Sequence, residues 1–125
     1  MRIEHSAAPP NSLVLLVTSD DPAIPQSMQG TLATATDTCI AVGTLNELDG
    51  ETSVALTDEP PSEEAGLTRK LTATLDVENG FVAVSDVYAE RYLELPWTRS
   101  TLEVSVWVND VTEPDVVLFE LHGQP

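Results

Sequence analysis

Two stretches of the chain alternate apolar and polar residues with a period of two, and this pattern constrains the fold more than any other feature. In LTATLDVE, residues 71 to 78, apolar side chains alternate with Thr, Asp and Glu, and TLEVSVWVND, residues 101 to 110, repeats the pattern. Successive side chains of a β-strand point to opposite faces, so this period indicates half-buried strands. We predict that the buried face includes Leu71, Leu75, Leu102, Val104 and Val106.

Turn signals divide the remaining chain into short segments. Asp49-Gly50 and Asn79-Gly80 are typical of two-residue hairpin turns. The pattern predicts seven or eight strands and no helix longer than two turns. We interpret residues 12 to 125 as a single domain, an all-β antiparallel β-sandwich, with a barrel-like closure as the alternative. Residues 1 to 11, which include two adjacent prolines, are predicted to form an N-terminal arm.

The chain is strongly acidic. It has 21 Asp and Glu against 5 Lys and Arg, a net charge of −16. Nucleic acid and anionic membranes are disfavoured as partners, because binding to both depends on Lys and Arg. A basic protein surface would be attracted, although solubility or adaptation to a salty cytoplasm would explain the acidity equally well.

The sequence favours the cytoplasm. The longest apolar run, Leu13 to Val17, is too short to span a bilayer and does not have the context of a secretory signal. Cys39 is the single cysteine, which agrees with a reducing compartment.

No motif for catalysis or for a cofactor is present. A Ser or Cys nucleophile needs a histidine as base, and the two histidines, His5 and His122, lie near the ends of the chain. The chain has no Cys-x-x-Cys, no His-x-x-x-His and no glycine-rich phosphate loop. We therefore expect a protein that is not an enzyme and has no cofactor; a calcium site built from Asp110, Glu113 and Asp115 is the alternative.

Aromatic and arginine residues are scarce but cluster in the C-terminal half, where partner contacts are enriched in both types. Trp107 projects from the polar face of its strand; core packing is the favoured interpretation, and an exposed anchor is the other. The acids of residues 59 to 68 and 110 to 115 are the second type of candidate. Together the candidate partner-binding residues are Glu63, Glu64, Tyr88, Arg91, Tyr92, Trp97, Arg99, Trp107, Asp110, Glu113 and Asp115.

The C-terminal half resembles the competence protein J family. The resemblance covers about 55 residues and rests on LTATLDVENGFVAVSDVYAERYLELPWTRSTLEVSVWVN: a strand, a turn at Asn79-Gly80, a strand, a basic residue before Leu93-Glu94-Leu95-Pro96, a strand ending near Trp107, and then DVVLFEL. It implies a cytoplasmic protein that inhibits a nuclease of DNA uptake.

Three classes of function follow. The first is an inhibitor or immunity-like partner of a basic enzyme, such as a nuclease, whose cleft an acidic surface could occupy. The second is an assembly or protein-interaction module of unspecified partner. The third is an enzymatic or calcium-dependent β-sandwich.

Overall fold

Ten strands form two five-stranded sheets in the computed structural model, which describes residues 1 to 123. The strands are β1 (Arg2–Ala7), β2 (Leu13–Val17), β3 (Ala33–Ala35), β4 (Cys39–Gly43), β5 (Thr52–Thr57), β6 (Thr68–Asp76), β7 (Phe81–Ser85), β8 (Arg91–Pro96), β9 (Thr101–Val108) and β10 (Val116–His122), with short 3-10 turns at Pro10–Ser12 and Glu63–Ala65. The first sheet has the order β1-β5-β10-β9-β6 and the second β3-β4-β2-β7-β8. All pairs are antiparallel except β5 with β10. The predicted all-β sandwich is confirmed, and the barrel-like alternative is wrong because the sheets remain separate.

The core lies between the two sheets and follows the period of two. Leu75, Leu102, Val104 and Val106 are buried in it, as predicted, whereas Leu71 on the edge strand β6 is only partly buried. A second, smaller cluster covers the outer face of the second sheet, where Met28 from the long β2–β3 connection packs on Phe81 and its neighbours. This cover explains why β2 reads as a continuous apolar run, since both of its faces are buried.

Both predicted hairpins are wrong. Asp49-Gly50 lies between β4 and β5, and Asn79-Gly80 lies between β6 and β7, so each turn joins strands of different sheets. The glycines still meet the backbone demand of a turn, with φ of 146° at Gly50 and 75° at Gly80. A residue pair that favours a turn does not specify whether the chain returns beside the same strand or passes to the other layer.

The predicted N-terminal arm is also wrong for Arg2–Ala7. These residues form β1, which pairs antiparallel with β5. Ile3 packs against the core, and the ring of His5 stacks on Tyr92 at a centroid distance of 5.2 Å. Most of this edge strand is exposed, so its sequence lacks the apolar alternation that identifies a half-buried strand.

The connection from β5 to β6 crosses the outer face of the first sheet. Both strands run parallel to β10, while β10 and β9 lie between them. Residues 58 to 67, the crossover loop, must therefore pass over β10 and β9. With Leu118, Val116 and Asn109 they line a groove of about 640 Å³, and Leu118 is buried although its side chain is on the outer face. Within residues 1 to 123, no helix has the length and apolarity needed to cross a membrane.

Candidate partner-binding surface

Three loops emerge at the same end of the sandwich. They comprise residues 44 to 51, 86 to 90 and 109 to 115, and we call this end the loop end. Leu45 N–H donates to Pro114 C=O (2.9 Å), which joins the first and third loops. The beginning of β2 lies beside the ends of β4 and β7, through the pairs Leu13 with Gly43 and Leu15 with Ser85. The loop that follows β7 therefore emerges at the same end.

The three loops of the loop end are acidic. Its three loops contain no Lys or Arg. Seven of their carboxylates are exposed to solvent: Glu47, Asp49, Glu51, Glu90, Asp110, Glu113 and Asp115. Charges of one sign on a single surface raise the local concentration of an oppositely charged partner and accelerate its association.

The β9–β10 loop is ordered by its own side chains. Asp110 Oδ1 accepts hydrogen bonds from the N–H groups of Glu113 (3.0 Å) and Thr112 (2.8 Å) and from the Thr112 hydroxyl (2.8 Å). The Glu113 N–H, followed by the two donors of Thr112, stabilises the charged form of the Asp110 carboxyl and lowers its pKa. Asn109 Nδ2 donates to Asp115 Oδ1 (2.6 Å) and fixes the base of the loop.

Glu63 and Glu64 lie in the crossover loop, beside the loop end. Their neighbours Ser62, Ala65 and Leu67 line the same groove as Asn109, the residue before Asp110. Both glutamates are exposed. The two acidic groups predicted from the sequence therefore border one continuous surface.

The β7–β8 loop presents Tyr88 on this end. Asp86 is buried, and its Oδ1 accepts hydrogen bonds from Tyr88 N–H (2.8 Å) and Glu90 N–H (3.0 Å). Tyr92 lies beneath the loop, where burial and then the negative charges of Asp86 and Glu90 raise its pKa to about 12. Arg91 is at the border: its guanidinium lies 4.2 Å from the Phe81 ring centroid and pairs with Asp20 and Glu94.

Two of the candidate residues, Trp97 and Arg99, do not belong to the loop end. Trp97 is 1% exposed and its Nε1 donates to Thr101 C=O (3.0 Å), so it belongs to the core and cannot contact a partner in this structure. Arg99 is exposed but follows β8 at the opposite end of the sandwich. The predicted aromatic and arginine patch is therefore dispersed.

Trp107 lies on β9, two residues before Asn109, and the favoured interpretation of it as a core residue is wrong. Its neighbours Val106 and Val108 enter the core, so Trp107 lies half-buried on the outer face. Its Nε1 donates to Glu120 Oε1 (2.9 Å), and the Arg69 guanidinium lies 5.9 Å from its ring centroid. The side chains of β9 therefore alternate between the core and the outer face, and the indole of Trp107 is stabilised on the outer face by Glu120 and Arg69.

Sequence reasoning missed Glu47, Leu48, Asp49, Glu51, Glu90 and Val111 as members of the loop end. For the acids the signal was present, because each lies in a turn segment, where carboxylates are usually exposed to solvent. What the sequence lacked was the placement of the three loops at the same end, which depends on strand order.

Ser105, His122 and Glu120 form the arrangement that comes nearest to catalytic chemistry. Ser105 Oγ lies 2.9 Å from His122 Nε2, and His122 Nδ1 lies 3.8 Å from Glu120 Oε2. The latter distance is too long for a hydrogen bond. Ser105 is 1% exposed and is paired with β10 on one side and β6 on the other, so the neighbouring N–H groups serve the sheet rather than an oxyanion hole. The arrangement is a polar row across a sheet, which Thr72 Oγ1 extends at 3.0 Å from Ser105 Oγ.

The calcium alternative receives no support from the geometry. In the described part of the chain, no group of three or more His, Cys, Asp or Glu side chains is placed to hold a metal ion. Asp110 Oδ1 is already committed to three donors of its own loop. Cys39 is buried, and burial raises the pKa of its thiol to about 12, which makes it unreactive.

The comparisons with known proteins identify one informative likeness. No family model matches the sequence, and no curated protein matches it by sequence. Among solved structures, the chain is similar to ComJ from Bacillus subtilis, described as an inhibitor of the DNA degrading activity of NucA. The TM-score is 0.70 at 8% sequence identity, over 98% of this chain and 96% of ComJ. The competence protein J resemblance seen in the sequence is thus confirmed in three dimensions, and the chain has the ComJ fold over nearly its whole length.

Proposed function

We propose that this chain binds a DNA-degrading nuclease and inhibits it without performing catalysis itself. The observation that carries the proposal is the likeness to ComJ, because it extends over 98% of the chain and leaves no room for a separate catalytic domain in these 125 residues. ComJ itself is an inhibitor of the DNA degrading activity of NucA. The site of action that we propose is the cytoplasm.

The proposed contact surface is the loop end, together with Glu63 and Glu64. A nuclease must hold the phosphates of DNA, so its cleft carries positive charge, and a rigid surface of carboxylates can take the place of the phosphates. Seven exposed acids without a neighbouring Lys or Arg in the three loops fit this role. The opposite end, which contains Arg99, and the outer face, which contains Arg69 and Lys70, fit it less well.

The test is an assay of DNA degradation. Nuclease activity in an extract of the cells that make this chain is measured on fluorescent DNA while purified chain is added in increasing amounts. We expect saturable inhibition, and we expect the concentration that gives half inhibition to rise with salt, mainly because association slows. DNA degradation that is unchanged at saturating chain concentration would contradict the proposal.

A matched pair of variants separates the surface from the total charge. The loop variant Glu47→Gln, Asp49→Asn and Glu51→Gln should weaken inhibition. The control variant Glu4→Gln, Glu78→Gln and Glu103→Gln removes equal charge from exposed positions elsewhere and should inhibit nearly as well as the parent chain.

A further inference from the structure

The loop end also exposes apolar side chains, and each lies within one of its three loops. Leu48 is 90% exposed, Tyr88 is 73% exposed and Val111 is 57% exposed. Among the described residues, only Met1 and Ile24 are other large apolar side chains with comparable exposure. A single exposed apolar side chain is unremarkable, but here three are exposed at the same end of the sandwich as the seven acids.

Each apolar residue has acids as close sequence neighbours. Leu48 lies between Glu47 and Asp49, Val111 follows Asp110, and Tyr88 is two residues from Glu90. The surface therefore alternates contact points for apolar groups with contact points for cations. Membrane insertion is disfavoured by this arrangement, since carboxylates are repelled by anionic headgroups.

Hydrogen bonds order the backbone at or next to each of these residues. Leu48 N–H donates to Asn46 Oδ1 (2.9 Å), and Tyr88 N–H donates to Asp86 Oδ1 (2.8 Å). Next to Val111, Thr112 N–H donates to Asp110 Oδ1 (2.8 Å). Fixed loops lose little conformational entropy on binding, so more of the contact energy appears as affinity.

We propose that Leu48, Tyr88 and Val111 are apolar anchors for a partner surface in which aliphatic side chains alternate with Lys or Arg. This deepens the proposed function, on which it rests for the expectation of a basic partner. The acids steer the partner and the anchors retain it. Binding therefore has a component that salt does not remove, because burial of apolar surface is not screened.

The test uses the isotopically labelled full chain and two peptides, with no nuclease present. One peptide has four Lys-Leu repeats and the other four Lys-Ser repeats, so their charges are equal. We expect the Lys-Leu peptide to shift NMR signals of residues 44 to 51, 86 to 90 and 109 to 115, and to bind roughly tenfold more tightly than the Lys-Ser peptide, as burial of about one leucine side chain predicts.

Variants of the chain complete the test. Leu48→Ser, Tyr88→Ser and Val111→Ser should each weaken binding of the Lys-Leu peptide several-fold, whereas the control Thr98→Ser, at an exposed position after β8 at the opposite end of the sandwich, should not. Equal affinity of the two peptides, or shifts confined to other surfaces, would overturn the proposal. A third outcome would also overturn it: if the parent chain binds phosphatidylcholine vesicles and the same three variants do not, the apolar side chains contact lipid rather than a basic protein. Because no nuclease is used, failure of nuclease inhibition and failure of the anchor proposal are observed separately.

Discussion

The two tryptophans show how strongly a residue's role depends on which face of the sandwich it occupies. Trp97 fills the core between the sheets, and Trp107 lies on the outer face with its indole N–H bonded to Glu120. We expect Trp97→Ala to lower the free energy of unfolding by about 3 to 5 kcal/mol, through lost burial and the cavity that remains. Trp107→Ala should lower it by about 1 to 3 kcal/mol, chiefly because Glu120 loses its donor.

Urea denaturation of both variants measures the difference. Trp107→Phe is the matched control, since it retains most of the apolar contact and removes only the donor. Equal losses for Trp97→Ala and Trp107→Ala would contradict the assignment of the two faces.

Tyr92 gives the fold a sensitivity to alkali. Its pKa in the folded chain is raised from 10.0 to about 12, so the folded state favours the protonated phenol. The corresponding stability is fully present below pH 10 and is lost as the pH rises through about 12. We expect the urea midpoint of the parent chain to fall more steeply over this pH range than that of Tyr92→Phe. If the two midpoints fall in parallel, ionisation of Tyr92 is not the cause of the loss.

Individual residues of the candidate site differ in how far their positions could be predicted from the sequence. The acids at Glu63, Glu64, Asp110, Glu113 and Asp115 were found because solvated turns are where carboxylates lie. Trp97 could not be assigned to the core from its segment, because β8 ends at Pro96 and the period of two stops there. Burial at such positions depends on the opposing sheet.

Among the elements, β1 is the one whose stabilising role was least visible in the sequence. It pairs with β5 over six residues and places Ile3 against the core. We expect deletion of residues 1 to 7 to lower the urea midpoint clearly, since β5 would become an exposed edge. A deletion variant as stable as the parent chain would restore the interpretation of these residues as an arm.

The turn between β6 and β7 is the second element with a sharp test. Gly80 has φ of 75°, and a Cβ there would lie 4.0 Å from Trp97 C=O, an ordinary contact. We expect Gly80→Val to lower the free energy of unfolding by about 1 to 3 kcal/mol, because a β-branched residue is strained at this positive φ. Gly80→Asn should cost less, because asparagine tolerates positive φ; equal losses of stability in thermal melts would argue against this cause.

The two glycine turns show what a sequence pattern cannot predict about the strands, namely which sheet each strand joins. The strand segments after residue 69 were predicted from their period of two, and the sandwich followed from their number. Both glycine turns were interpreted as hairpins because local residue preferences are the same whether a turn joins partners in one sheet or crosses between sheets. Sheet order is decided by which apolar faces meet, and a linear pattern does not contain that information.

For the whole molecule, a net charge of −16 opposes folding by self-repulsion, and this repulsion is relieved wherever acids are neutralised. The loop variant and the control variant of the nuclease assay both change the net charge from −16 to −13, by removing three acids each. We expect both to have higher melting temperatures than the parent chain at low salt, with the gain fading as salt screens the charges.

Only the loop variant should associate more slowly with the nuclease, because only its altered acids belong to the proposed contact surface. Thermal melts and association kinetics on the same two proteins therefore separate the two consequences of acidity. Equal slowing by both variants would mean that total charge, rather than the loop end, governs the encounter. A control variant that associates like the parent chain, beside a slowed loop variant, would place the charge that matters on the β4–β5 loop, where Leu48 also lies.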